Sequence, residues 1–237
     1  MSDIPPFGLT LLVDKPLTWT SFDVVNKLRY PVKELTGKKK NKVGHAGTLD
    51  PLATGLLIIC IGSHTKNIEG LQGLTKAYTG TIKLGATTPS YDLELPIDQT
   101  YPIPECDHNL MQKVANSFVG TIEQIPPAFS AKKIAGKKAY DLARKGRNVD
   151  LKPSLIEISE FNIATESYPE INFEVKCSKG TYIRSLAYDF GIKLNTGAHL
   201  TSLRRTQIGP YSVTNAHTVE LAIEHIREEY ANYLKHK

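Results

Sequence analysis

The sequence predicts an α+β fold built on a mixed sheet. Three observations carry this reading. Strand-like segments, some apolar throughout and some alternating, are separated by amphipathic helices and loops without regular strand–helix alternation. The chain contains no internal repeat and no stretch that reads as a linker dividing it. Its 237 residues, 41% of them hydrophobic, supply ample material for a core.

Taken in order, residues 9–13 form a short apolar strand that runs into the turn Asp14-Lys15-Pro16. Ser21 is placed to N-cap a helix whose apolar positions are Phe22, Val25 and Leu28. A basic loop follows, Lys38-Lys39-Lys40 and then Lys42, either a solvated surface or a phosphate contact. Residues 56–61 are continuously apolar and closed by Gly62, the mark of a short buried strand. Residues 76–84 alternate, with Tyr78, Gly80, Ile82 and Leu84 on one side, whereas residues 87–98 show no periodicity and read as a surface loop. Leu110, Val114 and Phe118 recur every four residues in a helix stopped by Gly120. Ile171, Phe173, Val175 and Cys177 face one side of a strand. A turn at Ser178-Lys179-Gly180-Thr181 leads into a helix with Ile183, Leu186, Ala187, Phe190 and Leu194 inward. Residues 200–208 contain Leu203-Arg204-Arg205 and are broken by Gly209-Pro210. Thr218 opens a last amphipathic helix through Val219, Ala222, Ile223 and Ile226.

The net charge of +5 permits a polyanionic partner without demanding one. Between Ser130 and Asn148, however, Lys132, Lys133, Lys137, Lys138, Arg144, Lys145 and Arg147 face the single acid Asp141, with Phe129 and Tyr140 interleaved. That imbalance fits an arm tracking a nucleic-acid backbone, or else a solubilising helix and loop. Cys60, Cys106 and Cys177 match no zinc spacing and no disulfide framework, so no metal site is expected. The opening MSDIPPFG lacks an apolar signal core, and no apolar run approaches the roughly 20 residues that span a bilayer. The expectation is a soluble, cytoplasmic protein with no membrane partner.

The chemistry concentrates in residues 42–62. Gly44, Gly47 and Gly55 mark a loop, Pro51 stiffens it, and Asp50 is a lone carboxylate presented ahead of a buried strand. Asp before Pro is also an ordinary turn-starting pair. The string GHAGTLDPLATGLL resembles the signature of the TruB family, the tRNA pseudouridine-55 synthases, whose aspartate is the catalytic nucleophile. The likeness spans residues 8–215, in a short form for which no C-terminal PUA domain is expected.

The resemblance implies the pseudouridine synthase fold: a central, mostly antiparallel sheet flanked by helices and loops, with an active-site cleft across it. It implies a single catalytic domain over 1–237 carrying a basic RNA-binding insertion at about 128–153. Activity would be isomerisation of uridine to pseudouridine in the tRNA T-loop, with Asp50 as nucleophile and no cofactor. The KGTYIR element at residues 179–184 places Arg184 as partner of the catalytic aspartate; without it, Arg184 would read as a surface arginine. Tyr78 matches the tyrosine that lies against the target base, and by alternation alone is a core aromatic. His45 matches the residue that intrudes into the RNA loop and stacks there, though a lone histidine is commonly structural. Tyr182 and Leu203 match positions contacting the substrate uridine, and Lys15 a supporting position. Lys132, Lys133, Lys137, Lys138 and Arg144 would follow the RNA backbone. The partner would be the tRNA T-arm and the protein a monomer. A tRNA-folding or RNA-binding protein, or a synthase acting on another RNA, fits the basic segment equally well.

Overall fold

The computed structural model describes residues 7–130, 132–134, 137–144 and 151–236, which form mixed helix and strand with mostly antiparallel pairing. The chain divides into two units, one drawn from Met1–Lys76 with Arg204–Lys237 and the other from Ala77–Leu203. The division falls inside two strands, Lys76–Leu84 and Ala198–Ile208.

In the first unit the continuous apolar run is the middle of a longer strand, Ala53–Gly62. It pairs antiparallel with Gly8–Lys15, Leu12 opposite Ile58, and on its other side with Val43–His45. The run lacks alternation because both of its faces are covered. Leu57, Ile59 and Ile61 pack with Val24, Val25 and Leu28 of helix Ser21–Thr36 and with Ala222 and Ile226 of helix Val219–Lys235. Leu56, Ile58 and Cys60 pack on the opposite side with Ala46 and Ile208. The first helix is capped by Thr20 rather than Ser21: Thr20 accepts from the Asp23 N–H, and the Asp23 carboxylate accepts from the Thr20 N–H. A capping box needs an acid three residues on, which Thr20 has and Ser21 lacks. Ser21 is instead buried, and Phe22, expected inside, is 57% exposed. Thr218 caps the last helix as expected, accepting from Leu221 N–H.

In the second unit strands Lys76–Leu84, Glu170–Cys177, Ser154–Ser167 and Gly120–Gln124 lie side by side in that order. Ile171, Phe173, Val175 and Cys177 are buried as their alternation predicts. Phe173 and Phe190 both stand edge-on to Phe161 at the centre of this core, which helix Ile183–Lys193 closes with Ile183, Leu186 and Ala187. The helix predicted from Leu110 runs from His108 to Asn116, with Met111 and Ala115 buried and Leu110 exposed. Phe118 does reach the core, but from beyond the helix end, so its spacing gave the wrong phase.

A larger correction concerns residues 87–98. The segment is a loop, but only its second half lies at the surface: Thr87, Thr88, Ser90 and Asp92 are buried, whereas Leu93 and Ile97 are exposed. Its buried groups are polar and hydrogen-bonded locally, Thr88 Oγ1 to Asp92 O at 2.6 Å and Asp92 Oδ1 from Glu94 N–H at 3.0 Å, so no hydrophobic period marks it. In the basic segment Lys133–Ile134 pairs with Lys137–Lys138, and a short helix spans Ala139–Ala143. Lys145 and Arg147 lie outside the described residues.

Candidate active site

The loop carrying Asp50 is held by main-chain and buried side-chain contacts on every side. Asp50 O accepts from Ala53 N–H at 3.1 Å, and Pro51 O accepts from Thr18 N–H at 2.9 Å. The buried Ser21 hydroxyl accepts from Leu49 N–H at 2.8 Å and donates to Leu49 O at 3.2 Å. Lys15, fully buried, donates to Pro16 O, Trp19 O and Pro51 O at 2.9, 2.6 and 3.4 Å. Its ammonium also lies in the field of Asp50. Burial pushes the Lys15 pKa down to about 8; Asp50 opposes that fall and the Arg205 cation adds to it.

Arg205 lies 1% exposed and donates to Leu56 O, Thr48 O and Gly47 O at 2.8, 3.3 and 3.0 Å. Gly55 explains part of the loop's glycine content. At φ +104, a Cβ there would collide with the Arg205 backbone. The neighbouring Arg204 forms a two-pronged pair with Asp14 at 3.0 and 2.6 Å. Burial first, and then the Arg205 charge, push His45 below the usual imidazole range, which favours a neutral ring at neutral pH. Lys15, His45 and Asp50 thus belong to one supported loop system of the first unit.

The second unit carries the other candidates. Arg184, 4% exposed, is the second residue of its helix. Its Nε lies 3.8 Å from Asp92 Oδ2, and its two NH groups donate to Ser90 O and Phe129 O at 3.1 and 2.9 Å. It is therefore no surface arginine: the buried residues Ser90 and Asp92 both face it. Tyr182 is fixed by Gln124, which accepts from its N–H at 2.8 Å and donates to its carbonyl at 3.0 Å. Tyr78 and Leu203 are half-buried against the same core cluster. Four residues further along the same helix, Tyr188 stacks on Tyr91 with centroids 4.2 Å apart.

Of the basic candidates, Lys132 donates to Lys152 O at 3.2 Å and Ser154 Oγ at 2.8 Å, which ties it to the protein's own chain. Lys133, Lys137 and Lys138 stand on the paired strands already described. Arg144 lies over the Tyr140 ring at 5.6 Å, and the Tyr140 hydroxyl donates to Glu94 at 2.8 Å. Sequence reasoning missed Arg205, Asp92 and Ser21. Asp92 lacked any periodic signal, whereas Ser21 was disqualified as a cap by the Thr20–Asp23 pair.

Comparison with known proteins identifies the family. Residues 33–183 match the family model described as TruB family pseudouridylate synthase, N-terminal domain. Residues 184–236 match the tRNA pseudouridylate synthase B C-terminal domain. A tRNA pseudouridine synthase B of Flavobacterium johnsoniae is 54% identical over 93% of this chain and 96% of its own. One of Bacteroides fragilis is 57% identical over 85% of this chain and 87% of its own. Among solved structures, a chain of a Cbf5-Nop10-Gar1 complex superposes with a TM-score of 0.66 at 26% identity. That match covers 92% of this chain, which spans 54% of the other. By these matches, and with the loop of Asp50 built as described, the chain belongs to the TruB family of pseudouridylate synthases.

Proposed function

We propose that the protein converts uridine to pseudouridine in the T-loop of tRNA, at position 55, with Asp50 as the nucleophile. The observation that carries this reading is the near full-length identity, 54% over 93% of the chain, to a relative named tRNA pseudouridine synthase B. The reaction breaks the N1–C1′ bond of uridine, turns the freed uracil within the pocket and rejoins it to C1′ through C5, which loses its proton while N1 gains one. Reactant and product are isomers, so the balance requires no redox partner and no energy source.

A carboxylate suits the first step, stabilising or trapping the electron-poor sugar carbon as carboxylates do in glycosidases. Asp50 must be ionised for this. In the proposed mechanism Arg184 pairs with it and keeps it so, the guanidinium fork matching a carboxylate. Tyr78 packs against the base with its hydroxyl at the pocket edge, and Tyr182 and Leu203 border the uridine. The target base leaves its stack at a cost of a few kcal/mol, offset by pocket contacts and by His45 stacking in the vacated loop. A neutral His45 ring serves that role, since it is desolvated at little cost. Lys15 supports the loop, and Lys133, Lys137, Lys138 and Arg144 follow the RNA backbone.

The test is pseudouridine mapping of unmodified tRNA transcript after incubation with the purified protein, alongside Asp50→Asn. A single new pseudouridine at the T-loop site, absent with Asp50→Asn although tRNA still binds, is the expected outcome. Product at another uridine would keep the chemistry and discard the target. Substantial turnover by Asp50→Asn would overturn the assignment of the nucleophile, and tight binding without any product would favour an RNA-folding role.

A further inference from the structure

Arg205 occupies an expensive position. A guanidinium 1% exposed is surrounded by three main-chain carbonyls, of Leu56, Thr48 and Gly47. Among the described residues these are its hydrogen-bond acceptors, and all are neutral. Lys15, a second buried cation, feels its charge. Two buried cations repel each other and each sheds its hydration, so an apolar side chain of similar volume would suit the core better. Stability alone does not account for an arginine here.

The geometry does. Gly47 and Thr48 precede Asp50 and Leu56 follows it, so one rigid side chain ties the ascending limb of the loop to the strand into which its descending limb runs. Ser21 fixes Leu49, and Lys15 and Thr18 fix Pro51, on either side of the carboxylate. Arg205 closes that ring of supports from below. Only a planar fork with several N–H groups reaches three carbonyls in different directions; a lysine ammonium at the same depth lacks the span. Packing reinforces the clamp, because the Gly55 Cα sits directly against the Arg205 backbone.

We infer that Arg205 is a positioning residue, whose guanidinium sets the placement of Asp50 by bridging the two limbs of its loop. As to turnover, this rests on the pseudouridine-forming activity proposed above; as to loop geometry, it stands independently. Because Arg205 is buried, RNA does not touch it, and its loss acts on the chemical step rather than on binding.

The experiment compares the unaltered protein with Arg205→Lys and Arg205→Ala. Single-turnover and steady-state kinetics on tRNA transcript should show kcat down by about 100-fold, the scale expected when a reacting group moves by about 1 Å. KM should stay within about threefold, since ground-state contacts are retained. Added guanidinium ion should restore part of the kcat of Arg205→Ala. Hydrogen exchange should show the amides of residues 46–50 opening about tenfold faster in Arg205→Lys, with the Gly8–Lys15 strand unchanged.

A folded Arg205→Lys with unaltered kcat, or with raised KM and unaltered kcat, overturns the inference. If Arg205→Ala does not fold, Arg205→Lys decides. If neither folds, Arg205 supports the unit as a whole and the loop-specific role is refuted. Should the unaltered protein form no pseudouridine, the functional reading fails, and the exchange data alone judge the inference.

Discussion

Raising the pH from 7 to 10 should stabilise this protein through Lys15, and Lys15→Met should remove that gain. The Lys15 ammonium is fully buried, and its pKa falls from 10.5 to about 8 because burial disfavours the charged form. Asp50 opposes the fall, while the Arg205 cation deepens it. The folded value lies below the unfolded one, so between about pH 8 and 10.5 the unfolded chain binds more protons. Stability contributed by this group therefore rises through that window, and below pH 8 the cost of keeping the ammonium buried is felt in full. At about 1.4 kcal/mol per unit, the shift corresponds to about 3 kcal/mol. Lys15→Met also leaves the carbonyls of Pro16, Trp19 and Pro51 without that donor, a penalty independent of pH. The measurement is urea unfolding of both proteins at intervals from pH 7 to 10. The unfolding free energy of the unaltered protein relative to Lys15→Met should rise by about 2–3 kcal/mol from pH 7 to 10. Parallel curves would show that Lys15 keeps its proton at normal affinity, and the account of a desolvated cation beneath the loop would fall.

Two further outcomes follow from the geometry. Asp92→Asn removes a carboxylate 3.8 Å from Arg184 Nε, both side chains at least nine-tenths buried. It should lower stability by about 2–4 kcal/mol and kcat at least about tenfold, as read by thermal unfolding and single-turnover assay; an unchanged Tm would refute the coupling. For RNA binding, Lys137→Gln combined with Lys138→Gln should reduce the salt dependence of tRNA affinity. Each phosphate that the variant leaves unneutralised lowers the log–log slope by about 0.7–0.9, and an unaltered slope would remove these residues from the backbone interface.

Legibility from sequence followed the kind of signal each segment carries. The strand of Phe173 and Val175 was readable because one face is wet and the other dry, and the helix of Leu186 and Phe190 because its apolar residues recur at helical spacing. The Asp50 loop was readable from its glycines and proline, which record backbone geometry directly. The burial of residues 87–92 was illegible because their interior is built of Thr88, Ser90 and Asp92, whose hydrogen bonds leave no mark in hydrophobic periodicity. Arg205 was illegible for the complementary reason. A charged residue in a strand reads as outward-facing, and the three carbonyls that justify its burial are remote in sequence. The matching of Thr20 with Asp23 was present in the sequence, and a check three residues downstream separates it from Ser21.

The division of the chain sets a timetable for synthesis. The second unit is one continuous segment, Ala77–Leu203, whereas the first needs residues from both ends of the chain. The arginine that secures the loop is translated 157 and 158 residues after the carbonyls it holds, at Thr48 and Gly47. At roughly 5–20 residues per second, a nascent chain spends on the order of ten to thirty seconds with Asp50 made and its clamp not yet made. During that interval most of the Ala77–Leu203 unit is made, its last residue only two positions before the clamp. The first unit cannot close until Arg204–Lys237 arrives. The ribosome thus delivers the carboxylate and the supports from Lys15, Thr18 and Ser21 early, and the Arg205 clamp late.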